Sequence, residues 1–212
     1  MPFEHCCFIS YRHTLFPRGR TLTEQITEDL SAELEIRVAE GVFRDKDRLK
    51  GAEFYNEALA SAICRSVCMV VLYWPTYFHP AHLFCAREFK AMEKLEEERL
   101  QLLAPEERLK GLIVILALRG FDQIPAEIKD RRICKDFESY TLKPNFRRDL
   151  RFREDILDIG RYIAGRCRAF DSLPPDAVAG CASFRLPSEA DVLPWVRRVT
   201  PPALPFTNRG IS

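Results

Sequence analysis

The chain has 212 residues, of which 47% are apolar and 30% charged, enough to bury one good core and too few for two. Its 32 Lys and Arg stand against 31 Asp and Glu, so a formal charge of +1 offers no broad field for nucleic acid or anionic lipid, and neither is expected as a partner. The amino terminus lacks the basic stretch and long apolar run of a signal peptide, and the longest apolar runs, Val67 to Trp74 and Leu112 to Leu118, are far too short to span a membrane. A soluble, cytoplasmic protein is therefore expected. Eight cysteines without a C-x-x-C pair, several inside apolar segments, read as small core residues in a reducing compartment. The four histidines do not join them at zinc-finger spacing, so no metal is expected.

In chain order, His5 to Tyr11 (HCCFISY) suits a buried strand closed at a surface loop by Arg12 and His13. Thr21-x-x-Glu24 has capping-box spacing ahead of a ladder of Leu22, Ile26, Leu30, Leu34 and Val38, which predicts a helix over Thr23 to Val38. Gly41 to Phe43 gives a brief second strand. A charged loop, Arg44 to Gly51, then leads into a second helix through Phe54, Tyr55, Leu59 and Ile63, ending near Ser66. Val67 to Tyr73 and Leu112 to Leu118 are continuously apolar, as strands covered on both faces of a parallel sheet should be. Between them lies a helix from Leu83 onward. Beyond Gly120 the pattern loosens, with a loop or short helix, an edge strand at Ser139 to Leu142, and a closing helix within Phe146 to Phe170. Residues 1–170 thus form one domain. The extension 171–212 holds seven of the 14 prolines, so no regular element should be long there, although Val192, Leu193 and Trp195 should pack part of it on the domain.

Alternating strands and helices predict an α/β fold with a doubly wound, mainly parallel central sheet, whose ligands bind beyond the carboxyl ends of the strands. Those ends are the loops after Tyr11, Phe43 and Tyr73. One residue stands out in the helix after the third strand. At about 100° per residue, Phe84, Cys85, Phe89, Ala91, Met92 and Leu95 share an apolar half, and Arg87, Lys90, Glu93, Lys94, Glu97 and Glu98 take the other. Glu88 falls in the middle of the apolar half, where an uncompensated carboxylate costs several kcal/mol, so a cleft is expected there. Glu96 and Arg99 also lie in that arc, near enough to the helix end for fraying to expose them.

These residues resemble the Toll/interleukin-1 receptor (TIR) domains, in the bacterial style, over residues 3 to 165. Phe8-Ile9-Ser10-Tyr11-Arg12 is similar to the family's first box, and Phe43-Arg44-Asp45, Leu49-x-Gly51 and Phe54 to its second-strand and BB-loop box. Ile63 and Ser66 precede the third strand as the pattern requires. Tyr77 and Phe84-Cys85-x-x-Glu88-Phe89 are similar to its tyrosine and Trp-Cys-x-x-Glu-Leu segment. Three features depart from the pattern: Tyr73-Trp74-Pro75 replaces the serine usual after strand three, Phe84 replaces the tryptophan, and the receptors' Phe-Trp third box is not visible.

The resemblance implies a flavodoxin-like fold and cleavage of NAD, as substrate, at the nicotinamide–ribose bond with Glu88 as the catalytic glutamate. It implies a substrate site among Ser10, Tyr11, Arg12, Phe43, Phe54, Tyr55, Trp74, Tyr77 and Phe84. Arg12 could hold a phosphate or be ordinary surface; Phe54 and Tyr55 could stack on a base or belong to the core; Phe84 and Cys85 read most simply as core. Asp45, Lys46, Asp47 and Arg48 form either a solvated turn or a BB loop that docks on a second copy to complete the pocket. The implied setting is bacterial defence, with a separate sensor or effector protein as partner, since no such domain is recognisable in the chain. A non-catalytic adaptor that assembles with other TIR domains and a virulence effector are the alternatives.

Overall fold

The computed structural model of the protein describes residues 3–12, 17–38, 41–43, 55–171, 173 and 180–200, with the backbone alone at 17, 18, 43 and 55. Five parallel strands form the sheet: β1 (His5–Tyr11), β2 (Gly41–Phe43), β3 (Ser66–Tyr73), β4 (Ile113–Ala117) and β5 (Ile133–Asp136), in the order β2-β1-β3-β4-β5. That order is the flavodoxin-like form of the doubly wound α/β fold. Every residue of β3 and β4 is buried, which explains their unbroken apolar runs. Helices α1 (Pro17–Glu35) and α7 (Leu150–Phe170) pack against each other on one face; α2 (Tyr55–Cys64) and α3 (Phe84–Leu100) cover the other, with α8 (Glu189–Val199) laid outside α3. Short helices α4 (Pro105–Arg108), α5 (Ala126–Lys129) and α6 (Glu138–Thr141) fill the connections. No helix among the described residues is long and apolar enough to cross a membrane.

The first helix begins at Pro17 rather than Thr23, so Thr21 and Glu24 lie inside it and are not a capping box. Proline suits a first helical position, where its fixed φ matches the helix and its missing N–H has no intrahelical partner to lose. The ladder itself is buried at Leu22, Ile26, Leu30 and Leu34, but the helix stops before Val38. The edge strand is Ile133–Asp136, not Ser139 to Leu142. An edge strand half open to solvent needs only two apolar residues, Ile133 and Cys134. The β-favouring Tyr140 instead lies on a helical turn, packed edge-on against Phe137 and Phe152 with ring centroids 5.2 and 5.3 Å away.

The extension holds an 11-residue helix, where proline content suggested that nothing regular would be long. A capping box between Ser188 and Asp191 satisfies its first turn, and Val192, Trp195 and Val196 bury one face. Together these outweigh the single backbone bond that Pro194 removes. The cysteine reading also changes. Cys64 and Cys181 form a disulfide that ties the extension to the end of α2; the other six are free, five of them buried as expected of small core residues.

Fraying does not explain Glu96 and Arg99. Both are buried, at 2% and 4% exposure, because α3 stays helical to Leu100 and its last turns lie over the amino ends of β3 and β4. Glu96 accepts from the backbone N–H of Leu112 and meets Arg132 at 2.6 Å. Burial pushes its carboxyl above the ordinary range, with Arg132 and the amides of Leu112 and Ile113 pulling it back. Arg99 donates to the carbonyls of Ser66, at 2.7 Å, and Cys64. Removing one partner of such a pair strands the other in the core. Arg132→Met is therefore expected to destabilise the fold by about 3 kcal/mol in urea titration, far more than the loss of an exposed ion pair would.

Candidate functional site

The sheet order reverses between β1 and β3, since the chain leaves β1 towards β2 on one side and later returns to β3 on the other. The crevice beyond the carboxyl ends of these two strands is where doubly wound folds hold ligands. Ser10 and Tyr11 pair in register with Val71 and Leu72, which places the end of the first sequence box beside the end of β3. The loop 74–83 then leads into α3, which crosses back over β1 and β4 and brings its second turn onto that crevice.

Glu88 sits there, 6% exposed. The Ser10 hydroxyl donates to its Oε2. The Tyr77 hydroxyl lies 2.5 Å from Ser10 Oγ, and because Ser10 gives its proton to the carboxylate, Tyr77 is the donor in that bond. Tyr77 is fully buried. Burial first, then the neighbouring Cys85 and Glu88, holds its phenol well above the ordinary range, so it stays a neutral donor. The result is a directed chain, Tyr77 to Ser10 to Glu88, that fixes a buried carboxylate at the switch point of the sheet. A carboxylate buried and oriented in this way can stabilise positive charge better than it could in water.

The other expected site residues divide. Tyr11 and Trp74 are half-buried at the same strand ends, and the indole N–H of Trp74 is enclosed without a hydrogen-bond acceptor. Arg12 reaches across the mouth and donates to the carbonyl of Thr76 at 2.7 Å, so its guanidinium is engaged in clipping β1 to the 74–83 loop. Phe43 ends β2 opposite Phe8, and Tyr55 opens α2. Phe84 is not core: it is 45% exposed, with Arg87 over its ring at 5.6 Å, because the first turn of α3 projects beyond the sheet. Cys85 is buried. Phe54 and the loop residues Asp45, Lys46, Asp47 and Arg48 lie outside the described residues. Among the described residues no cluster of His, Cys, Asp or Glu could hold a metal ion.

Two supports have no sequence signal near Glu88. Gly120 turns the chain after β4 at φ +68°, and a Cβ there would lie 2.8 Å from Pro75 of the 74–83 loop, so only glycine fits. Helix α8 backs the site from outside. Trp195 stacks on Phe89 at 5.8 Å and meets Phe78 edge-on at 5.1 Å, and Phe78 meets Tyr77 edge-on at 4.8 Å. Thr200 Oγ1 donates to the Phe78 carbonyl at 2.8 Å and Arg87 Nε to the Pro187 carbonyl at 2.7 Å. The residues flanking Tyr77 and Glu88 are thus held from the carboxyl-terminal extension. Comparison with protein-family models and with curated protein sequences gives no match.

Proposed function

We propose that the protein is a TIR-type enzyme that cleaves NAD between nicotinamide and ribose, with Glu88 as the catalytic carboxylate. The observation that carries the reading is the burial of Glu88 at the β1/β3 crevice, oriented by Ser10 from the first sequence box and, through it, by Tyr77. Nicotinamide leaves as a neutral molecule, so no general acid is required, and the barrier is the positive charge that develops on the ribose carbon. A carboxylate held against the ribose hydroxyls stabilises that charge, with Ser10 and Tyr77 keeping it in place without neutralising it. Water as acceptor yields ADP-ribose; a ring nitrogen of the adenine yields a cyclic product. The test is release of nicotinamide by the purified chain at high concentration, together with a Glu88 variant. A chain that assembles but releases none is an adaptor.

The same reading puts the enzyme in the cytoplasm, in bacterial defence signalling with a separate sensor or effector, and makes Asp45 to Arg48 the loop that docks on a second copy. Specific activity is then expected to rise with enzyme concentration, and Arg48→Glu to lower it about tenfold without changing the melting temperature. Equal specific activity across a wide dilution series removes the shared pocket. The cytoplasmic setting bears on the Cys64–Cys181 bond, since glutathione and thioredoxin keep most cytosolic thiols reduced.

A further inference from the structure

At the amino ends of the strands, opposite Glu88, a cavity of about 610 Å³ opens between α4 and α7. Lys110, Arg161, Arg166 and Arg168 line it against one carboxylate, Glu107, and the ring of Tyr162 forms a wall. Its floor holds Arg166, which is 1% exposed and the largest fully buried side chain among the described residues. Only Nη1 of that guanidinium is satisfied, by Glu107; Nε and Nη2 are enclosed without acceptors. A buried cation held by a single carboxylate is costly in a folded protein, and Glu107 at Nη1 is the one group on the cavity side that meets it.

Glu107 is shared, since its other oxygen takes Lys110 at 2.7 Å, so its carboxylate can pass to Lys110 while another anion takes Arg166. Arg168 makes no ion pair among the described residues, and Arg161 has only Asp158, at 3.3 Å on the surface. The planar donor fork of arginine fits phosphate oxygens in pairs. From the buried unsatisfied guanidinium, the excess of cations and the size of the cavity we infer a second binding site, for a small molecule that carries a pyrophosphate group. One phosphate would displace Glu107 from Nη1 of Arg166, and the other would meet Arg161 and Arg168 at the surface. The cavity lies within the range of small-molecule sites and is larger than a lone phosphate needs. Tyr162 is fixed as its wall by a hydrogen bond to the Gly111 carbonyl at 2.7 Å.

Gly165 gives a clean probe, because a Cβ there meets nothing within 4 Å, so a side chain can be added without straining the helix. Calorimetric titration of the full chain with inorganic pyrophosphate is expected to show one saturable site. Gly165→Glu, which puts a like charge in the cavity, and Arg166→Met should each weaken it about tenfold or more, whereas Glu88→Gln should not. If Arg166→Met fails to fold, Gly165→Glu carries the test by itself. Absence of saturable binding, wild-type affinity in Gly165→Glu, or loss in Glu88→Gln alone overturns the assignment.

Discussion

Glu88→Gln is expected to lower nicotinamide release from NAD by about a thousandfold, the order found when one preorganised electrostatic stabiliser is removed from an active site. The substitution keeps the volume and leaves an amide oxygen to accept from Ser10, so what it deletes is the charge. Stability is the second readout, and it separates two roles. A carboxylate 6% exposed, to which Ser10 donates, is kept for its charge if it is catalytic, so a catalytic Glu88 predicts a variant about as stable as the parent. A glutamate kept for structure predicts the reverse, a lower urea midpoint and no activity to lose. Glu88→Ala removes the acceptor as well, leaving the Ser10–Tyr77 hydroxyl pair with one proton and no acceptor for it, and should cost about 1 kcal/mol or more of stability on top of the same loss of rate. Activity that survives either substitution removes Glu88 from the mechanism.

The fold was legible where burial is two-sided. Strands β3 and β4 declare themselves because a strand covered on both faces has no polar positions to interrupt it, and their apolar runs end within a residue or two of the observed strands. β5 did not, because an edge strand half open to water can be built from Ile133-Cys134-Lys135-Asp136, which has no periodic signature. In the extension, proline counted for too much: Pro194 is tolerated within α8 because a capping box and a buried tryptophan face act on the same three turns. The candidate site shows the same division. Glu88 was conspicuous as a charge on an apolar arc, whereas Ser10 and Tyr77 entered only through the family resemblance, as substrate-site residues and not as a chain leading to Glu88, since a serine inside FISY reads as one more small strand residue until Tyr77 arrives beside it from 67 positions away. Glu96 shared that arc and is matched by Arg132 and a backbone amide at the other end of the helix. A charged residue on an apolar face therefore does not mark a site until its place relative to the strand ends is known.

The Cys64–Cys181 bond sets up the second large effect. It closes a loop of 117 positions in sequence, and constraining so long a loop in the unfolded chain is worth up to about 5 kcal/mol in the chain-entropy treatment, with about 2–4 kcal/mol typical in practice. Cys181→Ser is accordingly expected to lower stability by about 3 kcal/mol and the melting temperature by about 10 °C for a chain of this size. Reductant should shift the parent protein equally and leave the variant unmoved. The effect should reach the candidate site, because residues 180–200 carry Trp195, which stacks on Phe89 next to Glu88. Emission of Trp195 should therefore move to the red before the sheet unfolds. Thiol titration of the denatured, unreduced protein is the check: six free thiols are expected of the eight cysteines. Eight thiols, with Cys181→Ser as stable as the parent, would leave α8 held by its apolar face and by the bonds to the Pro187 and Phe78 carbonyls, and then Trp195→Ala rather than reduction would be the change that loosens Tyr77 and Glu88.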